Sequence, residues 1–465
     1  MIIPRLQTDG APSPQQADTN GFKNRFTRHV ILTCLAAALV CYLLQIVSPL
    51  RLNYDVIEFL SIAESANSGG FAYHGSPRSY PPGYPAIVST LNVLGLGRAE
   101  LLYLCNVAFL LVAVVASYVL LRRVLNLSVQ AAAAIELMTL LSFVVIKHTP
   151  LFLSDIPFMG VVMVALVSIS RLEAPGKDFA WKLALALALT AAAVCIRTAG
   201  LPLVPALMFT VFRRGLKSGQ YRSVLAYRII IVVLGVLALT VALRSKYLLE
   251  TLDVIRHELP QMSVGALIQA NIKEHLQELG EVVANVPASK LPLALHGILP
   301  WAGAALIGLT ALGIWARRCA AALDIFLLSY LLMILAYVGI DARYWMPILP
   351  VMFGLAAVGI CQKVRLGKIA AVYVLCFSLL GAVAFAYSTR LSLAGPEFAE
   401  RYGDDNLRPT YRVALGKTAY SPSVDVNMRA LELLRKYDPT HYRGPRDIQV
   451  FPGPGRDPST LPGAR

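Results

Sequence analysis

The sequence predicts an all-α polytopic membrane protein of about eleven transmembrane helices, with the N-terminus cytoplasmic and the C-terminus outside. Three observations carry this expectation. Hydrophobic residues make up 57% and charged residues 15% of the 465 positions, whereas a soluble domain carries about a quarter charged residues. Apolar runs recur along the whole chain, and a helix crosses a bilayer with about 20 apolar residues at 1.5 Å each. Finally, Lys and Arg gather in every second connection between those runs, which is the pattern that orients helices in membranes. The formal net charge of +15 is therefore an orientation signal. It is no nucleic-acid footprint, because the basic residues sit in short inner loops and form no single basic face.

Taken in order, residues 1–29 are mostly polar and are expected to be a cytoplasmic, disordered N-terminus with no cleavable signal. The transmembrane core is expected over 30–387. Lys23, Arg25 and Arg28 precede the first span, 30–50, and place the outer loop 51–100 on the far side. Within that loop 86–97 is apolar but too short to cross, so it reads as an interfacial or re-entrant helix. Spans follow at 101–121, ending at Arg122-Arg123; at 131–146; at 158–169, ending at Arg171; and at 183–196, ending at Arg197. The next are 201–212, a proline-bent piece ending at Arg213-Arg214, and 229–243. An outer segment, 246–296, carries apolar positions at helical spacing over 266–284, as a surface or interfacial helix does. The last four spans are 298–316, 325–340, 347–360 and 369–387. The extracytoplasmic tail, 388–465, has one helix predicted at 424–437 and turns Pro/Gly-rich from Gly444. Cys34, Cys41, Cys105, Cys195, Cys361 and Cys376 lie in apolar runs and Cys319 beside an arginine pair, so no disulfide framework and no CxxC metal pattern is available.

The chemistry-bearing residues gather at the outer face. The loop from Asn53 to Pro85 offers Asp55 and Glu58, a Gly69-Gly70 turn and the stiff Tyr80-Pro81-Pro82-Gly83-Tyr84-Pro85 elbow. His74, Arg78, His148, Asp155, Arg197, Asp341, Arg343 and Tyr344 fall at the same face. Arginines there can hold a phosphate by charge-assisted, often bidentate hydrogen bonds, and a carboxylate opposite can take a proton from an attacking hydroxyl or amine. Each has a plainer alternative. Asp55 with Glu58 three residues on resembles a capping box, Glu58 reads as a cap partner or a solvated acid, and Asp155 opens a span as a cap would. Tyr80 and Tyr84 serve a rigid turn or an interfacial aromatic belt. Arg343 has Asp341 as a structural partner at hand. His74 and His148 stand alone, without partners at metal-ligand spacing. Glu136 is the one acid well inside an expected span and is a functional candidate on that ground.

The Asp55–Pro85 loop, Leu153-Ser154-Asp155-Ile156-Pro157-Phe158, Ile196-Arg197-Thr198-Ala199-Gly200-Leu201 and Arg343-Tyr344-Trp345-Met346-Pro347 occur in that order. Together they resemble the GT-C fold glycosyltransferases, in the branch near protein O-mannosyltransferases and lipid A aminoarabinose transferases. The resemblance covers about residues 25–390. It implies a GT-C-like fold, a polyprenyl-phosphate sugar as donor substrate, and inverting transfer outside the cytoplasm to a glycan, lipid or protein acceptor. Asp55 matches the first-loop aspartate, implying a general base or acceptor-orienting role. Arg343 and Tyr344 match the Arg-Tyr near the lipid phosphate, Arg197 matches more loosely, and Asp155 matches the acid at the entry of the fourth span. Glu58, Tyr80 and Tyr84 are supporting residues. Where relatives that modify lipid A carry a charged pair before the two prolines, this chain has Ser79-Tyr80, which speaks against a metal there and against lipid A as acceptor. No metal ligands are assigned, and a divalent metal is left open as a cofactor. The expected surroundings are a bacterial inner membrane and its lipids. The alternatives are a transporter or lipid flippase, whose polar groups belong near the midplane, and an enzyme like the O-antigen polymerases or ligases, which does not call for an acid in the first loop.

Overall fold

The structure is a computed structural model that describes residues 14–67, 80–173, 178–218, 256, 263–318, 321–360, 367–402, 404–421 and 424–445. Among these residues the regular secondary structure is helical, apart from one isolated bridge between Arg51 and Leu151. The expected span 229–243, the Gly69-Gly70 turn, His74, Arg78 and the end of the tail from residue 446 lie outside the described residues.

The helices are α1 (Pro14–Leu44), α2 (Tyr54–Asn67), α3 (Gly83–Val93), α4 (Ala99–Arg123), α5 (Val129–Leu140), α6 (Phe143–His148), α7 (Asp155–Arg171), α8 (Phe179–Ile196) and α9 (Leu203–Ser218). After them come α10 (Val264–Ala284), α11 (Leu299–Arg317), α12 (Ala322–Ala336), α13 (Leu349–Gly359), α14 (Gly367–Ser392), α15 (Arg408–Ala414) and α16 (Met428–Tyr437), with a 3-10 segment Ala342–Ile348 leading into α13. Among the described residues six stretches are long and apolar enough to cross a membrane: His29–Val47, Ala99–Arg123, Phe179–Ile196, Leu293–Arg317, Ala342–Gly359 and Lys368–Ser392. The expected disordered N-terminus is helical from Pro14, the first described residue, onward. The helix expected over 86–97 is α3, eleven residues long and packed between α2 and α8.

Two expected spans are interrupted, each for a visible reason. The run 131–146 breaks between α5 and α6. There the Asn285 side chain donates to the carbonyls of Leu141 (2.9 Å) and Phe377 (2.9 Å) and accepts from the Phe143 N–H (2.7 Å). It thus satisfies the backbone groups that a broken helix in an apolar setting would otherwise leave bare. The run 325–340 stops at Ala336, and 337–341 is extended chain before the 3-10 turn. Elsewhere small residues set the packing. A Cβ on Gly280 would lie 2.0 Å from the Leu299 carbonyl oxygen and one on Gly303 2.2 Å from that of Leu276, so α10 and α11 touch backbone to backbone.

One end of the bundle collects the functional candidates. The starts of α2, α7 and the 342–348 turn meet the end of α8 there. The bridge from Arg51 to Leu151 joins the strand-like lead-in of α2 to that of α7. Asn106 of α4 donates to the carbonyls of Thr149 (3.2 Å) and Leu151 (2.9 Å), which fixes the turn that delivers Asp155.

Candidate active site

The site is built from helix ends, where backbone direction changes and side chains are free to point into one space. α2 starts after Asn53, whose Oδ1 accepts the Val56 N–H at 2.9 Å. Asn53, and not Asp55, is therefore the cap, and the capping reading of Asp55 gives way. Released from that task, Asp55 reaches Arg343 through Oδ2 (2.6 Å to Nη2) and accepts from the Tyr80 hydroxyl through Oδ1 (3.1 Å). Asp155 is likewise no cap. It is the first residue of α7, is buried, and is ion-paired with Arg197, which follows the last residue of α8 and is also buried. Asp155 Oδ2 has no hydrogen-bond partner.

Arg343 is held from three sides. Besides Asp55, its Nε lies 3.1 Å from Asp341 Oδ2, and its backbone N–H donates to Asp341 Oδ1 at 2.9 Å. Its guanidinium carbon stands 5.5 Å from the centre of the Tyr344 ring, and that of Arg197 stands 5.6 Å from the same ring. Tyr344 is thus the shared aromatic contact of both arginines. The partnership of Arg343 with Asp341 expected from sequence is present, and Asp55 joins it. Burial pushes the Asp341 carboxyl up, but Arg343, His148 and the Arg343 N–H outweigh it and hold it below the usual carboxylate range. The Tyr80 phenol moves the other way: burial, then the charges of Asp55 and Glu58, push it far above its ordinary value, so it acts as a hydroxyl donor.

Asp55, Tyr80, Asp155, Arg197, Arg343 and Tyr344 line one cavity, together with Phe59, Pro81, Ser154, Ile196 and Tyr337. Two expected supporting residues sit behind it. Glu58 lies one turn along α2 from Asp55, buried and close to the Tyr80 phenol, which corrects its reading as a solvated acid. Tyr84 packs its ring edge-on to Phe59 at 5.4 Å, and Phe59 in turn meets Tyr80 at 4.9 Å. The elbow is pressed against α8 at Gly83, where an added Cβ would fall 2.6 Å from the Cys195 carbonyl carbon and oxygen. Of the remaining candidates, His148 is buried behind the cavity, its Nδ1 2.7 Å from the Val144 carbonyl. Glu136 is buried between α4 and α5, away from the cavity.

Sequence reasoning missed what braces α2 from behind. The tail folds back on the lead-in to Asp55. The Leu50 N–H donates to Asp438 Oδ2 (2.8 Å) and the Leu52 N–H to the Tyr411 hydroxyl (2.7 Å). The Tyr411 hydroxyl donates to the Leu50 carbonyl (2.6 Å) and that of Tyr402 to the Leu52 carbonyl (2.7 Å). Arg429 of α16 binds Ser61 (2.9 Å) and Glu64 (2.6 Å) on α2. The one signal for this in the sequence is the cluster of tyrosines and charged residues in a tail otherwise free of spans.

Among the described residues no group of three or more His, Cys, Asp or Glu stands together as a metal site. The cavity carboxylates Asp55 and Asp155 are each engaged by a guanidinium.

No protein-family model matches the chain, and no curated protein matches it. Among solved structures, ArnT from Cupriavidus metallidurans bound to undecaprenyl phosphate is similar at 16% identity, over 88% of this chain and 85% of that one, with a TM-score of 0.47. The apo state of the same ArnT is similar at 16% identity over the same shares, with a TM-score of 0.37.

Proposed function

We propose that this chain is a membrane glycosyltransferase of the GT-C type, with about eleven spans, that moves one sugar from a polyprenyl-phosphate donor to an acceptor at the extracytoplasmic face of a bacterial inner membrane. The observation that supports the reading best is the meeting of Asp55 with Arg343 in a cavity that also holds Arg197 and Asp155. Such a transfer needs a base for the acceptor and cations for the leaving phosphate within a few ångströms of each other.

The donor is a phosphodiester whose anomeric carbon carries the phosphate oxygen. Arg343 engages Asp55 through Nη2; its Nε–H, although 3.1 Å from Asp341 Oδ2, makes no hydrogen bond there and can donate to a phosphate oxygen. A phosphate that draws the guanidinium toward itself loosens the Asp55 pair and turns that carboxylate toward the acceptor. The acceptor hydroxyl or amine then attacks the anomeric carbon from the face opposite the phosphate. Its proton passes to Asp55, the carbon–oxygen bond to the phosphate breaks, and the electron pair stays on the leaving phosphate, with inversion at carbon. Arg343 and Arg197 stabilise the charge that grows on the polyprenyl phosphate, and Tyr344 keeps both guanidinium planes in place. Tyr80, as a donor to Asp55, orients the base.

The test is transfer of labelled sugar from a polyprenyl-phosphate donor to acceptors in membranes that contain the protein. Asp55→Asn abolishes transfer under this reading. Under the polymerase or ligase reading it leaves transfer intact, and under the transporter reading no labelled product forms even with the wild type.

A further inference from the structure

The extended chain 337–341 has an unusual anchor. α12 ends at Ala336, and one carbonyl on each side of that end is taken up by one face of α10. Asn271 donates to the Leu335 carbonyl at 2.7 Å. One turn on, His275 Nε2 lies 2.7 Å from the Tyr337 carbonyl oxygen, and Nδ1 of the same ring lies 3.0 Å from Glu278 Oε2. The His275 side chain is 0% exposed and that of Glu278 is 7% exposed.

The hydrogen count of this arrangement is constrained. A carbonyl only accepts, so Nε2 carries a proton. An ionised carboxylate only accepts as well, so the Nδ1–Glu278 contact requires a second proton, either on the ring or on the carboxyl. The pair therefore holds one proton more than a neutral imidazole beside an ionised glutamate, wherever that proton rests. Its surroundings keep it. Burial works against the charged His275 ring, but Glu278, the Tyr337 carbonyl and the nearby Glu274 outweigh it and raise the ring. Burial raises Glu278, with the Asp341 charge adding to it.

What the pair anchors is a wall of the site. The Tyr337 ring lines the cavity and meets Tyr344 edge-on at 5.4 Å, and Tyr344 touches both arginines. On its other side His275 faces Trp345 edge-on at 6.4 Å. Both ends of the 337–345 stretch thus lean on His275.

We propose that His275 and Glu278 are positioning residues: a buried, proton-holding clamp on the Tyr337 carbonyl that sets the Tyr337–Tyr344 wall against which Arg197 and Arg343 hold an anionic ligand. The clamp deepens the transferase reading and rests on it only for the identity of that ligand. Loss of the extra proton sets two lone pairs against each other in a buried place, so the clamp holds below the pH at which the pair deprotonates and releases above it. The charged groups around it are Glu274 and Glu278 on α10 and Asp341 on the facing segment.

Two variants separate clamp from mere packing. Glu278→Gln supplies an amide N–H to Nδ1 while Nε2–H stays on Tyr337, so it needs no extra proton. His275→Ala removes the donor altogether. The measurement is amide hydrogen exchange of the peptide covering 337–345 in the full-length protein in detergent, from pH 6 to pH 10, corrected for intrinsic rates. Binding of a polyprenyl phosphate is followed alongside. We expect wild-type protection to fall by about tenfold toward high pH, Glu278→Gln to stay protected across the range, and His275→Ala to be unprotected at every pH. Polyprenyl-phosphate affinity should follow the same three patterns. Equal protection in His275→Ala and wild type, or the same alkaline loss in Glu278→Gln as in wild type, overturns the clamp. If exchange follows the expected patterns while wild type binds no polyprenyl phosphate, the clamp stands and the donor assignment falls.

Discussion

Asp55 Oδ2 lies 2.6 Å from Arg343 Nη2. The two residues come from the start of α2 and from the turn that leads into α13, and each has an orienting partner of its own, Tyr80 for the aspartate and Asp341 for the arginine. In the proposed reaction the pair is the resting form of base and phosphate ligand. Separating them is what donor binding accomplishes.

The first prediction concerns the base. Asp55→Asn keeps the size of the side chain and an acceptor for Tyr80 but cannot take a proton. Turnover should fall by about 10²- to 10⁴-fold, the usual worth of a general base, while donor affinity stays the same or rises because Arg343 is no longer neutralised. Sugar transfer and donor binding measured on the same preparation distinguish this from simple misfolding.

The second concerns Asp155 and Arg197. Both are buried, so removing one leaves a charge without its counter-ion. Arg197→Met or Asp155→Ala should cost about 3–5 kcal/mol of stability, seen as a clear drop in Tm in detergent. The double variant Asp155→Ala/Arg197→Met should recover most of that loss without recovering transfer. A Tm for the double variant as low as the sum of the two drops would show that the pair is not coupled.

The third concerns Asp341 and acid. Its carboxyl is held below the usual range in the folded protein. The stability it contributes is therefore complete above the ordinary carboxylate range and is lost as pH falls through its depressed value. Wild type should lose stability on acidification through that region, and Asp341→Asn should show a shallower loss. Thermal unfolding at a series of pH values between about 3 and 7 reads both curves.

How much of this was legible beforehand follows from which forces are local. Apolar run length alone located α1, α4, α8, α11 and α14, because a span must satisfy its own backbone. Motifs at helix ends gave Asp55, Asp155, Arg197, Arg343 and Tyr344, which the structure brings to one cavity. Who pairs with whom did not follow. Asp155 could have been a cap and Asp55 likewise, until Asn53 takes the cap and Arg197 and Arg343 take the carboxylates. At the interruptions after Leu140 and Ala336 the backbone groups are taken up by Asn285 and by His275, residues far away in sequence, and no local pattern announces them. The tail contacts are equally long-range.

Those tail contacts give the fourth prediction. Tyr411 bridges Leu50 and Leu52 through one hydroxyl. Tyr411→Phe should leave the buried Leu52 N–H without its acceptor, at about 1–3 kcal/mol, and should raise hydrogen exchange in the 50–60 segment. Turnover should fall with little change in donor affinity, since Arg343 and Arg197 are untouched. Unchanged exchange there would mean that the tail does not brace α2.

The central claim is that the Arg343 cavity holds a polyprenyl phosphate, and mass spectrometry of lipids that co-purify with the protein tests it most directly. Wild type should carry a polyprenyl phosphate or its glycosylated form, whose mass names the sugar class, and Arg343→Ala should have lost it. Bulk phospholipid alone in both preparations, or the same polyprenyl phosphate in both, would contradict the assignment.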